Sequence, residues 1–141
     1  MMKLFFSLFV TGLLMVGCNS AAPTAEESTQ ASASENTLEG PKWQLVSFGL
    51  TRMAVPQDAY LTFTAGRYNG KGGCNQISGS YTKEAFSIRF KEGMSTMMAC
   101  PNMDLERAFQ QRLVRVDSYV IEGDMLDLQA QGKSLLRFKA Q

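Results

Sequence analysis

Apolar residues are distributed along this chain in three ways. Leu4 to Val16 is an almost unbroken apolar run. Asn19 to Glu39 holds one large aliphatic residue, Leu38, and no aromatic. From Gly40 onward apolar and polar positions alternate in short runs, as half-buried strands require. Trp43 to Phe48, following Pro41, predicts a first strand. Tyr60 to Thr64 predicts another, with Leu61 and Phe63 on one face. Ala65-Gly66 reads as a turn into Arg67 to Gly72, where Gly70, Gly72 and Gly73 point to a bend, a bulge or a close backbone approach. Gln76 to Thr82 is a short strand with Ile77, Gly79 and Tyr81. Phe86, Ile88 and Phe90 alternate with Ser87, Arg89 and Lys91 in the next. Asp117 to Glu122, the turn Gly123-Asp124, Met125 to Ala130, the turn at Gln131-Gly132 and a closing run at Leu135 to Phe138 complete the pattern. Short strands joined by tight turns imply antiparallel pairing.

One segment has a different period. Leu105, Ala108, Phe109, Leu113 and Val116 recur at helical spacing, with Gln110, Gln111, Arg112 and Arg115 mainly on the other faces. Asn102 or Asp104 can cap this helix, and Asp104 and Glu106 suit its positive end. Its apolar stripe should close over one side or end of the sheet. Arg107, Arg112 and Arg115 read as a solvated face.

The first two regimes are not part of that fold. Lys3 followed by the apolar run has the build of a signal peptide, too short to span a bilayer comfortably. It ends Leu14-Met15-Val16-Gly17-Cys18, which resembles a bacterial lipobox. Cys18 would then carry lipid and become the new N-terminus. Asn19 after it resembles the sorting pattern for the outer membrane, so the expected location is the periplasmic face of that membrane. Residues 18–39 read as the lipidated cysteine and a flexible tether, acidic through Glu26, Glu27, Glu35 and Glu39 and too poor in apolar surface to offset its ordering entropy. The domain is thus 40–141, roughly a hundred residues, enough for one core. The chain of 141 residues has net charge +1, and the domain from Gly40 onward carries 13 cations and 9 anions. That surplus is too small and dispersed to argue for nucleic acid.

Three cysteines and no histidine set the candidate chemistry. Without histidine there is no Ser-His-Asp triad, no Cys-His pair and no His-ligated zinc or copper. With Cys18 lipidated, Cys74 and Cys100 remain, and in an oxidising compartment a disulfide is the default. The competing reading is copper(I), since Met94, Met97, Met98 and Met103 crowd around Cys100 and soft sulfur ligands suit that ion. Methionine also fills irregular cores, and no ligand repeat accompanies it. Asn75, beside Cys74 and a glycine bend, is expected to satisfy local backbone groups.

The order Gly73-Cys74-Asn75, Gly79-Ser80-Tyr81, Thr96-Met97-Met98-Ala99-Cys100-Pro101, a helix with Glu106 and Phe109, then Val116 to Tyr119 and Gly123 to Leu128 resembles the META domain of HslJ-type proteins, over Trp43 to Phe138. Met97 stands where that family often has Arg. The resemblance implies an α+β architecture: a broken antiparallel β-barrel, here of about seven to eight strands, with one helix packed against it. It is similar in shape to lipid-binding pilot lipoproteins of secretion systems. It carries associations with heat shock, antibiotic tolerance and motility, and implies no established reaction or cofactor.

No enzyme is expected. Ser95 and Thr96 have no histidine partner. The pairs Glu84 and Glu92, and Asp124 and Asp127, fall at turns or exposed strand positions. Gly70 to Gly73 lacks the ending of a phosphate loop. Three functions stay open: a tethered envelope module working through contacts with other proteins; a carrier holding a lipid or acyl chain against Trp43, Leu45, Leu61, Phe63, Phe86, Ile88, Leu126 and Leu128; and copper handling through the Met and Cys cluster. The second competes with those side chains filling the core themselves.

Overall fold

A computed structural model describes residues 37–101 and 103–141. The signal segment, Cys18, the tether up to residue 36 and the Asn102 cap lie outside the described residues.

Alternation builds the sheet. In β1 (Lys42–Ser47), Trp43 and Leu45 point inward; in β2 (Tyr60–Thr64), Leu61 and Phe63; in β3 (Arg67–Lys71), Tyr68 and Gly70. β4 (Gln76–Glu84) buries Ile77 and Tyr81, and β5 (Ser87–Phe90) buries Ile88 and Phe90. A two-residue β6 (Met94–Ser95) precedes the helix α1 (Met103–Leu113). β7 (Ser118–Glu122), β8 (Met125–Ala130) and β9 (Lys133–Ala140) contribute Tyr119, Leu126, Leu128, Leu136 and Phe138. All pairings are antiparallel, in the order β3-β2-β1-β9-β8-β7-β5-β4-β6, and β3 also pairs β4. Nine strands thus form a ring, not a regular barrel. The seam is β5–β7, where one register pair, Ser87 with Ser118, is joined by Ile88 N–H to Asp117 O at 3.1 Å and Tyr119 N–H to Phe86 O at 3.0 Å.

The tight turns match their residues. Ala65-Gly66 and Gln131-Gly132 take positive φ at both positions (48° and 74°, 53° and 73°), the backbone twist that two-residue hairpins favour. β5 and β6 are nearly one strand along β4, interrupted from Lys91 to Gly93. At Gly93 and at Gly79 an added Cβ would lie 2.5 Å from the Tyr68 hydroxyl oxygen, so both glycines make room for that ring. α1 lays Phe109 edge-on to Phe138 of β9, ring centroids 6.3 Å apart, and buries Leu113 with Val116 beyond it.

Four expectations are corrected. The strands number nine, because Met94–Ser95 pairs with Ile77 and Ser78. Phe86 is not in the strand that follows: Glu84 pairs with Ser87, so Ala85 (φ 49°) and Phe86 form the turn and Phe86 is 77 % exposed. The tether does not extend to Glu39. Leu38 is buried in the core, its carbonyl accepts from Trp43 Nε1 at 2.8 Å, and Glu39 accepts from the Tyr81 hydroxyl and from Gly66 N–H at 3.4 Å. Burial and the neighbouring Glu39 push the Tyr81 hydroxyl above the usual tyrosine range. Finally, Arg112 is not simply solvated: its guanidinium sits 5.3 Å from the Phe48 ring centre and bonds Ala108 O at 3.2 Å.

Candidate functional site

The residues of the resembling motif converge at one end of the ring. β3 runs into Gly72-Gly73-Cys74-Asn75, which passes under α1. At Gly72 an added Cβ would meet the Phe109 ring at 3.0 Å and Glu106 Cγ at 3.3 Å, so backbone and helix approach as only glycine permits. Opposite, Thr96 to Pro101 leads from β6 into the helix. Cys74 and Cys100 are disulfide-bonded across the two segments, Cα atoms 6.1 Å apart.

Asn75 joins the segments a second time. Its Oδ1 accepts from Met98 N–H at 2.7 Å and from the Thr96 hydroxyl at 2.8 Å. Its Nδ2 donates to Met98 O at 3.2 Å and to Glu106 Oε1 at 2.9 Å. The side chain does satisfy local backbone groups, and it also reaches the carboxyl group of Glu106 on α1. Glu106 is 3 % exposed. Its Oε2 accepts from Cys74 N–H at 3.1 Å and Asn75 N–H at 2.7 Å, while Oε1 also accepts from Gln110 Nε2 at 3.3 Å. A buried acid is tolerable only with such partners. The signal was present: Glu106 lies three and seven residues before Phe109 and Leu113, on the buried stripe. Among the described residues no buried side-chain nitrogen or oxygen lacks a partner.

This rigid base presents apolar side chains outward. Met97 is 99 % exposed, and Met94 and Met98 are also exposed. Beside them runs an open groove of about 530 Å³, walled by Val55, Pro56, Gly73, the disulfide, Met98, Pro101 and Leu105. The ion pair of Lys71 with Asp58 edges it, and that hydrogen bond holds the Asp58 carboxyl below the usual range. The four methionines do not share one point. Met97 stands in solvent, whereas Met103 is half-buried with its sulfur 3.9 Å from Asn75 Nδ2. A soft-metal site here would also require the disulfide to open.

The other sequence candidates lie elsewhere. Trp43, Leu45, Leu61, Phe63, Ile88, Leu126 and Leu128 belong to a single packed core, and Phe86 is outside it in solvent. Asp124 pairs with Lys139 at 3.4 Å, Asp127 accepts from Ser134 and Gln129, and Glu84 and Glu92 are exposed. Among the described residues no three His, Cys, Asp or Glu side chains cluster as metal ligands would.

The META domain family model matches residues 36–141, which include Leu38 and Glu39. A solution structure of a Burkholderia xenovorans protein is similar at 26 % identity and TM-score 0.62, over 74 % of this chain and 83 % of that one. A crystal structure of a DUF4847 family protein from Bacteroides vulgatus is similar in fold, with 16 % identity, TM-score 0.57 and coverage of 74 % and 95 %. No curated protein matches.

Proposed function

We propose a non-catalytic binding role for this chain, which belongs to the META domain family: it is an accessory module of the HslJ type, held on the periplasmic face of the outer membrane through lipid on Cys18, that engages another envelope protein through its methionine face. The observation that carries the reading is the division of labour within the motif. Cys74, Asn75, Thr96 and Cys100 spend their bonding capacity on one another and on Glu106, while the Met97 and Met98 side chains meet solvent. A site built for catalysis would leave a polar group free to act on a substrate. Here the polar groups are consumed in holding two loops still, and what is presented is thioether. Methionine is flexible and polarisable and suits contact surfaces that must adapt to a partner. A role under envelope stress or in secretion is the cellular setting this reading favours.

Site-specific photo-crosslinking in the native membrane tests it. A photoreactive residue at Met97 is expected to yield one discrete adduct with an envelope protein, while the same residue at Leu50, which is also exposed (92 %) but outside the motif, yields none. Equal labelling from both positions would defeat the reading.

A further inference from the structure

A second groove, on another part of the surface, has a different chemistry. It lies where α1 ends, against β5 and the β8–β9 turn, and measures about 510 Å³. Arg89, Arg115 and Lys133 line it, with Val114 and Leu135 as apolar walls. None of these three cations takes part in an ion pair or side-chain hydrogen bond among the described residues.

Negative groups here are already engaged. Asp117, the one acid of the lining, accepts from the Ser118 hydroxyl at 2.7 Å and from Gln131 N–H at 2.9 Å, pinning the β8–β9 turn to the helix exit. Those two bonds, with Arg89 nearby, keep its carboxyl below the usual range. The last helical carbonyls are taken as well, by Val114, Arg115 and Val116 N–H at 3.2, 3.0 and 3.2 Å. What remains is three cations, from β5, the turn after α1 and β9, beside one acid, an excess of two positive charges over a cavity of ligand size.

We propose that this groove binds a phosphate-bearing anion, its phosphate between Arg89, Arg115 and Lys133 and its glycerol or sugar body against Val114 and Leu135. Two guanidinium forks can each meet two phosphate oxygens, and the ammonium adds a point charge. A phosphomonoester suits the site better than a single carboxylate because it offers more terminal oxygens and more charge to three separated donors. A lipid headgroup and a soluble phosphate ester share this chemistry.

The test uses the full chain with Cys18→Ser, in nonionic micelles, observed by NMR. Glycerol 3-phosphate is expected to shift resonances of Arg89, Arg115, Gln131 and Lys133 saturably. The double variant R89Q/R115Q should weaken binding about tenfold or more, the loss expected for charge-assisted hydrogen bonds. R52Q/R67Q, which removes two exposed cations elsewhere, should change it less than about twofold. The same shifts appearing only when phosphatidic acid is added to the micelles would support the site and assign it to a headgroup. Shifts scattered over all cations, equal weakening by both double variants, or full competition by polyglutamate would overturn the proposal.

Discussion

Asn75→Ala is expected to lower the stability of the domain by about 3–4 kcal/mol, the sum of four hydrogen bonds at about 1 kcal/mol each. The substitution does not merely delete four hydrogen bonds. It leaves Met98 N–H without its partner and leaves the buried Glu106 Oε1 with Gln110 Nε2 alone. A buried group left without a partner costs about 1–3 kcal/mol, about twice what an average hydrogen bond contributes net. Glu106→Gln should cost about 2–3 kcal/mol by the same logic. All four of its contacts are donors: Cys74 N–H, Asn75 N–H, Asn75 Nδ2 and Gln110 Nε2. A glutamine amide must turn its own NH₂ toward one side, so whichever way it flips, donor faces donor. Met97→Ala, on a side chain wholly in solvent, should change stability by less than about 0.5 kcal/mol. Urea unfolding at constant slope measures all three. A loss for Asn75→Ala no larger than for Met97→Ala would show that the network is not what holds the loops.

Opening the disulfide is expected to cost about 3 kcal/mol, from the chain entropy released when a 26-residue loop is no longer closed. That loop contains β4, β5 and β6, so reduction frees the segment that crosses the weak β5–β7 seam. The disulfide and the Asn75 network tie the same two segments. Their losses should therefore couple: Asn75→Ala in a Cys74→Ser/Cys100→Ser background should not cost the sum of the two separate changes. Denaturant midpoints of the four chains close the cycle. Strict additivity would mean that the staple and the network stabilise different parts of the structure.

How much of this was legible in the sequence follows from what each element buries. β2 and β8 appear in the sequence with their observed limits, because their apolar residues alternate cleanly and Ala65-Gly66, Gly123-Asp124 and Gln131-Gly132 are recognisable turns. β6 left no trace, because both Met94 and Ser95 face solvent and only backbone bonds to β4 define it. Phe86 continued an alternation by accident. Its place was decided by the two-residue turn at Ala85-Phe86, whose residues carry no turn signal. Leu38 looked like tether because one apolar residue in a polar run has no periodicity; Trp43 and the ring around it decide its burial. The disulfide was legible as the default for an exported chain, whereas the Asn75–Glu106 link was not. It joins residues 31 apart, and neither period nor composition tells which acid on a helix will find backbone donors.

The protein proposed here is an anchored, stapled module whose methionine face holds a partner. Native mass spectrometry of the protein extracted from its own membrane tests it most directly, since one spectrum reports anchor, thiol state and bound molecules together. The predicted result is a chain beginning at Cys18 with its acyl groups, the Cys74–Cys100 bond closed, and a second protein bound that is lost from the Met97→Asp/Met98→Asp variant. An unmodified Cys18, or free thiols with copper retained, or a bare monomer that the variant leaves unchanged, would contradict it.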